Sequence, residues 1–336
     1  MVDAPFRWGI IGFGWVARDY GLPAMRAAGG TLTAVYDPDP AAQAAARHLA
    51  PHAVQHATAQ SLIACPDIDG IYVATPNHRH RDPVLAALAG GRPVLCEKPV
   101  AHALDDAETI AAAVQDGIYG TAFDQRFHPA HLALRDLVRT GRLGAVTCIR
   151  IAYACWVGPD WARVAGGEGN WRADPARAGG GALIDLAPHG LDLAQFLLDE
   201  PLTDIAALTQ RRVQPYPVDD GAMLVARSAA GVLVSLHVAY NCPETLPRRR
   251  LEVLGTLGQA VAENTMGQDP GGTLFLTDAA TGVAQPVPFA AGSPFTAQMA
   301  AFARFARGLG GDFDIARDLH TMRLLHRAYG SDPACR

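Results

Sequence analysis

With 336 residues, 49% of them hydrophobic and 18% charged, the chain is long enough for two domains and too apolar to be disordered throughout. A formal charge of −5 and a pI near 6.2 leave no electrostatic footprint for nucleic acid, and Arg248-Arg249-Arg250 beside Pro247 reads as a solvated strand start. No apolar run is long enough to cross a bilayer, no secretory leader is read, and six scattered cysteines without a Cys-x-x-Cys pair indicate neither a zinc site nor a disulfide framework, so a cytoplasmic protein with no metal is expected.

Residues 7–11 form a short apolar strand that runs into Gly12-Phe13-Gly14-Trp15-Val16-Ala17 and then a helical period that Pro23 should kink or interrupt. In this Gly-x-Gly-x-x-Ala pattern, Gly12 permits a tight turn and Gly14 lets a pyrophosphate approach the backbone. Ala17 is small enough for helix–strand packing, and the helix N-terminus attracts phosphate. The next strand, 32–36, ends in Asp37 at the distance expected of a ribose-binding acid, and no Arg or Lys follows directly to receive a 2′-phosphate. NAD is therefore favoured over NADP. Helices over 40–49 and 58–64 precede an apolar strand, 68–74, that ends in Thr75-Pro76-Asn77-His78-Arg79-His80. Helix 82–89 leads through Gly90-Gly91-Arg92 to Val94-Leu95-Cys96-Glu97-Lys98-Pro99. Strand–helix alternation with short linkers implies a doubly wound parallel sheet, whose ligands bind at the carboxyl ends of its strands. Lys98 sits at such an end.

Helix 104–115 and the strand Tyr119–Phe123 complete the first unit, an α/β Rossmann nucleotide-binding domain over residues 1–123. Asp124-Gln125-Arg126-Phe127-His128-Pro129 begins the second, residues 124–336, with a helix to about Thr140. Strand 145–155 leads to Trp156 and an irregular stretch, 157–181, holding Trp161, Trp171, Arg172 and a flexible Gly179-Gly180-Gly181. Flat aromatic faces beside a guanidinium suit a polyhydroxylated ring, so Trp156, Trp171 and Arg172 are candidates for substrate binding; packing between sheet and loop is the alternative for Trp156. In the following segment Asp185 and His189 lie four apart on one helical face, with Asp192 placed to approach the imidazole. Pro188 implies a helix that either starts there or kinks. A carboxylate–imidazole pair suits proton transfer, His189 acting as general base and Asp185 orienting it or binding a hydroxyl. From 202 onward, alternating runs describe an α+β unit with a large, mostly antiparallel open sheet and helices on one face. Helices near 296–308 and 316–329 close the chain and pack back on the first domain.

The series Gly-x-Gly-x-x-Ala, Ala-Thr-Pro-Asn-x-x-His, Gly-Gly-Arg-Pro-Val-Leu-Cys-Glu-Lys-Pro and Gly-Gly-Gly-Ala-Leu-x-Asp-x-x-x-His resembles the Gfo/Idh/MocA oxidoreductases, typified by glucose–fructose oxidoreductase and inositol dehydrogenase. The resemblance implies an NAD(P)-dependent dehydrogenase or reductase acting on a secondary alcohol or ketone of a sugar, cyclitol or related polyol. It implies Lys98, Asp185 and His189 as the catalytic set and a Lys98–Pro99 bond that is often cis. The cofactor would be held by Gly12, Phe13, Gly14, Trp15, Val16, Asp37, Thr75, Pro76, Asn77, His80, Glu97, Lys98, Gln125 and Arg126. An interdomain brace is the alternative for Arg126. In similar proteins a second subunit covers the open face of the sheet, so a homodimer or homotetramer is expected. A redox-neutral enzyme with tightly held NAD, cleaving or epimerising glycosides, is the second reading, and a non-catalytic nucleotide- and sugar-sensing regulator the third. The chain departs from the family pattern at Asp124, where Asn is common, and at Pro188.

Overall fold

The computed structural model describes residues 4–115, 117–161 and 170–332. Six strands, β1 (Arg7–Ile11), β2 (Thr31–Tyr36), β3 (Val54–Gln55), β4 (Gly70–Val73), β5 (Val94–Cys96) and β6 (Tyr119–Thr121), form a sheet in the order β3-β2-β1-β4-β5-β6. Every neighbouring pair is parallel, so all six carboxyl ends reach the same edge. The strand order reverses between β1 and β4, which opens a crevice at that edge. Residues of β4 and β5 are buried throughout, which is why these strands read as unbroken apolar runs. The flanking helices begin on ordinary caps: the Asp39 side chain accepts from Ala41 N, and Thr58 and Ser61 form a reciprocal capping box.

The kink expected at Pro23 takes the form of a π turn over Ala17–Gly21, followed by an α-helix over Leu22–Ala27 that holds the proline in its first turn. The wider turn absorbs the missing amide without ending the helix.

The second sheet has eight strands: β7 (Val146–Ala154), β8 (Leu202–Gln210), β9 (Gly221–Ser228), β10 (Leu233–Ala239), β11 (Arg249–Gly255), β12 (Gly258–Glu263), β13 (Thr273–Asp278) and β14 (Ala284–Pro286). Their order is β14-β13-β12-β11-β7-β10-β9-β8, antiparallel except for the central β7–β10 pair. The helix Ala182–Leu198 packs across β7, β9 and β10, burying Leu191 and Leu197 with Leu224, Leu236 and Val238. It is continuous through Pro188, so the helix does not start late at the proline. On the opposite face β9 alternates buried and exposed, and Leu208, Met223, Val225 and Leu233 lie open, with Leu208 directly opposite Met223. The helix Pro294–Ala306 returns to the first sheet, placing Phe295, Met299 and Phe302 in one cluster with Phe6, Trp8 and Phe13. The last helix, Ile315–Ser331, rests on the helices Leu104–Val114 and Ala182–Leu198. Among the described residues, no helix is long and apolar enough to cross a membrane.

Candidate active site

The crevice floor is the glycine turn after β1. Gly12 has φ +91°, and a Cβ there would lie 2.8 Å from the carbonyl group of Ala74 at the end of β4, so only glycine lets the two strand ends meet. A Cβ on Gly14 would meet nothing within 4 Å: that residue faces open space above the turn. Asp37, at the end of β2, accepts from Phe13 N (2.6 Å) and Asp39 N (2.8 Å), tying the turn to the next strand. Burial raises its carboxyl, opposed by these amides and by the charge of the exposed Arg79. Thr75 Oγ1, at the end of β4, is buried with no hydrogen-bond partner among the described residues. An open glycine face, an acid at the second strand end and an orphaned hydroxyl at the fourth fit a dinucleotide lying across the strand ends.

Lys98 follows β5 by way of Glu97, and its bond to Pro99 is cis, as the resemblance implied. Its Nζ donates to Asp185 Oδ1 (2.5 Å) and to the Asp185 carbonyl (2.8 Å). Tyr240, just beyond β10, donates its hydroxyl to Asp185 Oδ2 (2.6 Å), and Arg172 Nε lies 3.5 Å from the same oxygen. Burial alone would raise the Asp185 carboxyl. Lys98 and then Arg172 overcome it and hold the group well below the usual carboxylate range. The Arg172 guanidinium is sandwiched, 4.4 Å from the Trp171 ring centre and 4.7 Å from that of Trp161. Trp161 meets Trp15 of the glycine turn edge-on at 5.3 Å, so aromatic rings bridge the two halves of the cleft. Residues 162–169 of the loop read as irregular lie outside the described residues. One turn along the helix, His189 is buried between Tyr153 and Phe123, whose rings lie nearly perpendicular to its own. Its Nδ1 is 3.3 Å from Asp124 Oδ1.

Two family models divide the chain between them: an oxidoreductase family with an NAD-binding Rossmann fold matches residues 6–117, and the GFO/IDH/MocA C-terminal domain matches 131–261. The 1,5-anhydro-D-fructose reductase of Ensifer adhaerens is 33% identical over 278 residues, covering 81% of this chain and 80% of that protein. The chain belongs to the Gfo/Idh/MocA oxidoreductases. The inositol 2-dehydrogenase of Agrobacterium fabrum is 28% identical over 70% of this chain and 68% of its own length. A solved structure of levoglucosan dehydrogenase in complex with NADH and levoglucosan has the same fold, with a TM-score of 0.84, 22% identity and 97% of each chain covered.

Within this Gfo/Idh/MocA oxidoreductase, several residues read as cofactor ligands are committed elsewhere. Gln125 is fully buried; its Nε2 donates to Asp124 Oδ2 (2.8 Å) and Gly267 O (2.9 Å), and its Oε1 accepts from Gly267 N. Arg126 braces the second unit internally and not across the domains: its guanidinium donates to Asp192, Asp318 and the Asp312 carbonyl. Asp192 therefore pairs with Arg126 and does not lie against the imidazole. His80 is fully buried, its ring nitrogens 3.0 Å from the carbonyls of Thr75 and Pro99, and it ties the ends of β4 and β5 together. Asn77 donates to Ala178 O (3.0 Å) in the segment before the helix Ala182–Leu198. Glu97 turns inward to accept from the Tyr72 hydroxyl (2.5 Å). Trp156 is 41% exposed and bridges to Asn241 at the rim.

The triple glycine is not a flexible hinge. A Cβ on Gly179, Gly180 or Gly181 would lie 2.1, 2.1 or 1.9 Å from His102 O, the Tyr329 hydroxyl or Asp219 O respectively. These glycines let the chain thread between packed elements. Asp219 then caps the helix from outside, accepting from Gly181 N and Leu183 N. Tyr240 and the Trp15–Trp161 contact were not read from the sequence as parts of the site, and Asp124 was read only as a departure from the family pattern.

Proposed function

We propose that this oxidoreductase reversibly interconverts a secondary alcohol and a ketone on a sugar, cyclitol or related polyol, using Lys98, Asp185 and His189. The observation that carries this reading is the meeting of Lys98, from the first sheet, with Asp185 and Tyr240, from the second, one helical turn from His189. A bound nicotinamide would supply or accept the hydride. Gly12, Phe13, Gly14, Trp15 and Val16 would hold its pyrophosphate, Asp37 the adenosine ribose, and Thr75 with Pro76 the chain between them. Asp37 favours NAD, because its carboxylate accepts ribose hydroxyls and repels a 2′-phosphate; Arg79 beside it weakens that repulsion.

An ammonium carries three donors. Asp185 takes two from Lys98, leaving one for the substrate oxygen, where it stabilises developing negative charge. His189 Nδ1 faces Asp124, so Nε2 is the nitrogen for proton transfer to or from that oxygen. Trp171 and Arg172, with Trp156 at the rim, present apolar faces and donors that suit a ring with C–H faces and hydroxyl edges. The domains divide near residue 123, and the exposed Leu208–Met223–Val225 face is the surface through which two or more copies associate. The described cysteines, all free, suit the reducing cytoplasm.

The test is a screen of inositols, aldoses, anhydro-sugars and keto sugars with NAD(H) and NADP(H), followed at the NADH absorbance band, alongside His189→Ala. Turnover on one class, abolished by His189→Ala, supports the proposal. Full turnover in that variant overturns the assignment of His189, and a clear preference for NADP(H) overturns the reading of Asp37.

A further inference from the structure

We infer that Asp124 is a positioning residue that fixes the tautomer of His189, with Gln125 as its anchor; this rests on His189 being the proton-transferring group proposed above. Asp124 opens the short 3-10 turn Asp124–Phe127 that leaves the first sheet after β6, and it is 2% exposed. Its two oxygens have different neighbours. Oδ2 accepts from Gln125 Nε2 at 2.8 Å, while Oδ1 lies 3.3 Å from His189 Nδ1, a buried nitrogen with no hydrogen bond of its own. Gln125 is in turn clasped at both ends of its amide by Gly267, and its carbonyl lies 2.8 Å from His131 Nδ1. The carboxylate is thus held from behind by a chain that reaches the loop between β12 and β13. Phe123 and Tyr153 wall the imidazole at ring-centre distances of 6.4 and 5.5 Å, which opposes a ring flip.

An ionised carboxylate is an acceptor only, so the imidazole nitrogen facing it must carry the hydrogen. That puts the proton of neutral His189 on Nδ1 and the lone pair of Nε2 in the cleft. Asparagine would reverse the choice: Gln125 Nε2, oriented by Gly267, would hold the amide oxygen and leave the NH2 donor facing His189 Nδ1. The 3.3 Å contact lies off the N–H direction, and catalytic hydrogen bonds commonly tighten only with substrate in place. In the reducing direction the Nε2–H bond of the His189 imidazolium breaks as an O–H bond forms on the substrate oxygen, while a bound dihydronicotinamide would supply the hydride to the carbonyl carbon. The imidazole left behind keeps its one proton on Nδ1, opposite Asp124. Oxidation runs the same transfers backward, with no proton passed to Asp124.

Two measurements on the full chain test this. In the parent protein labelled with 15N-histidine, with the His189 signals assigned by their loss in His189→Gln, neutral His189 is expected as the Nδ1–H form with bare Nε2; an Nε2–H form overturns the inference whatever the variants do. In kinetics, Asp124→Asn should lower kcat by about 10²-fold with the substrate KM and NADH affinity within about twofold, and Asp124→Glu should recover part of the loss. Asp124→Asn within about threefold of the parent, while His189→Ala is inactive, overturns the role of Asp124 alone. Full turnover in His189→Ala overturns the assignment of His189 beneath it.

Discussion

Glu97→Gln isolates a buried charge that the parent chain must manage near neutral pH. Burial pushes the Glu97 carboxyl up to about 7 from 4.5, against the opposing hydrogen bond from Tyr72 and the charge of Lys98. Between these two values the folded chain holds a proton that the unfolded chain has released. Stability changes with pH as the protons bound unfolded minus those bound folded, so here the slope is negative. The contribution is fully present below pH 4.5 and is lost as pH rises through 7. At about 1.4 kcal/mol per pH unit, the interval amounts to about 3 kcal/mol of stability lost from the parent between pH 4.5 and 8. Glutamine keeps an acceptor for Tyr72 and has no proton to lose. Urea unfolding of both proteins at pH 5, 6, 7 and 8, at constant ionic strength, should therefore show the variant gaining on the parent by about 2.5 kcal/mol across the series. Taking the difference cancels the titrating groups that do not interact with Glu97. A difference that stays constant with pH would show that Glu97 is ionised throughout, and the argument from its burial would fail.

Lys98→Met should lower kcat by about 10² to 10³-fold while NADH binding, followed by fluorescence, stays within about threefold; near-parental turnover would remove the lysine from the reaction. Gly179→Ala forces a side chain into the His102 carbonyl at φ +85° and should destabilise the chain by about 2 kcal/mol or more in thermal unfolding. An unchanged midpoint would mean the crossing relaxes freely. Met223→Lys with Val225→Glu should convert an oligomeric parent to monomers in light scattering, and a monomeric parent would refute the association face.

Much of the fold was legible because its signals are local. The parallel strands announce themselves as apolar runs, Gly12 and Gly14 mark the turn, and the four-residue spacing of Asp185 and His189 survives Pro188. The site was less legible where side-chain direction depends on tertiary packing. Asp124, Gln125 and Arg126 are consecutive, yet a 3-10 turn sends them to His189, Gly267 and Asp192. Reading the segment as a block could not separate them. Tyr240 reaches Asp185 only because β10 lies parallel to β7 in mid-sheet, a register no local pattern encodes. The glycine run looked mobile because the sequence does not show what presses on it. β3, of two residues, is too short to leave a pattern, and β14, Ala284–Pro286, is exposed throughout and carries no apolar run.

The Asn77–Ala178 hydrogen bond and the Gly179–His102 crossing also bear on how such enzymes diversify. The loop after β4 grips the segment that launches the helix bearing Asp185 and His189, so the two halves are not interchangeable cassettes. A graft of another relative's C-terminal half must carry with it a residue matching Asn77 and the backbone path at residue 102, although both lie in the N-terminal half. The unit of exchange in this architecture is the seam.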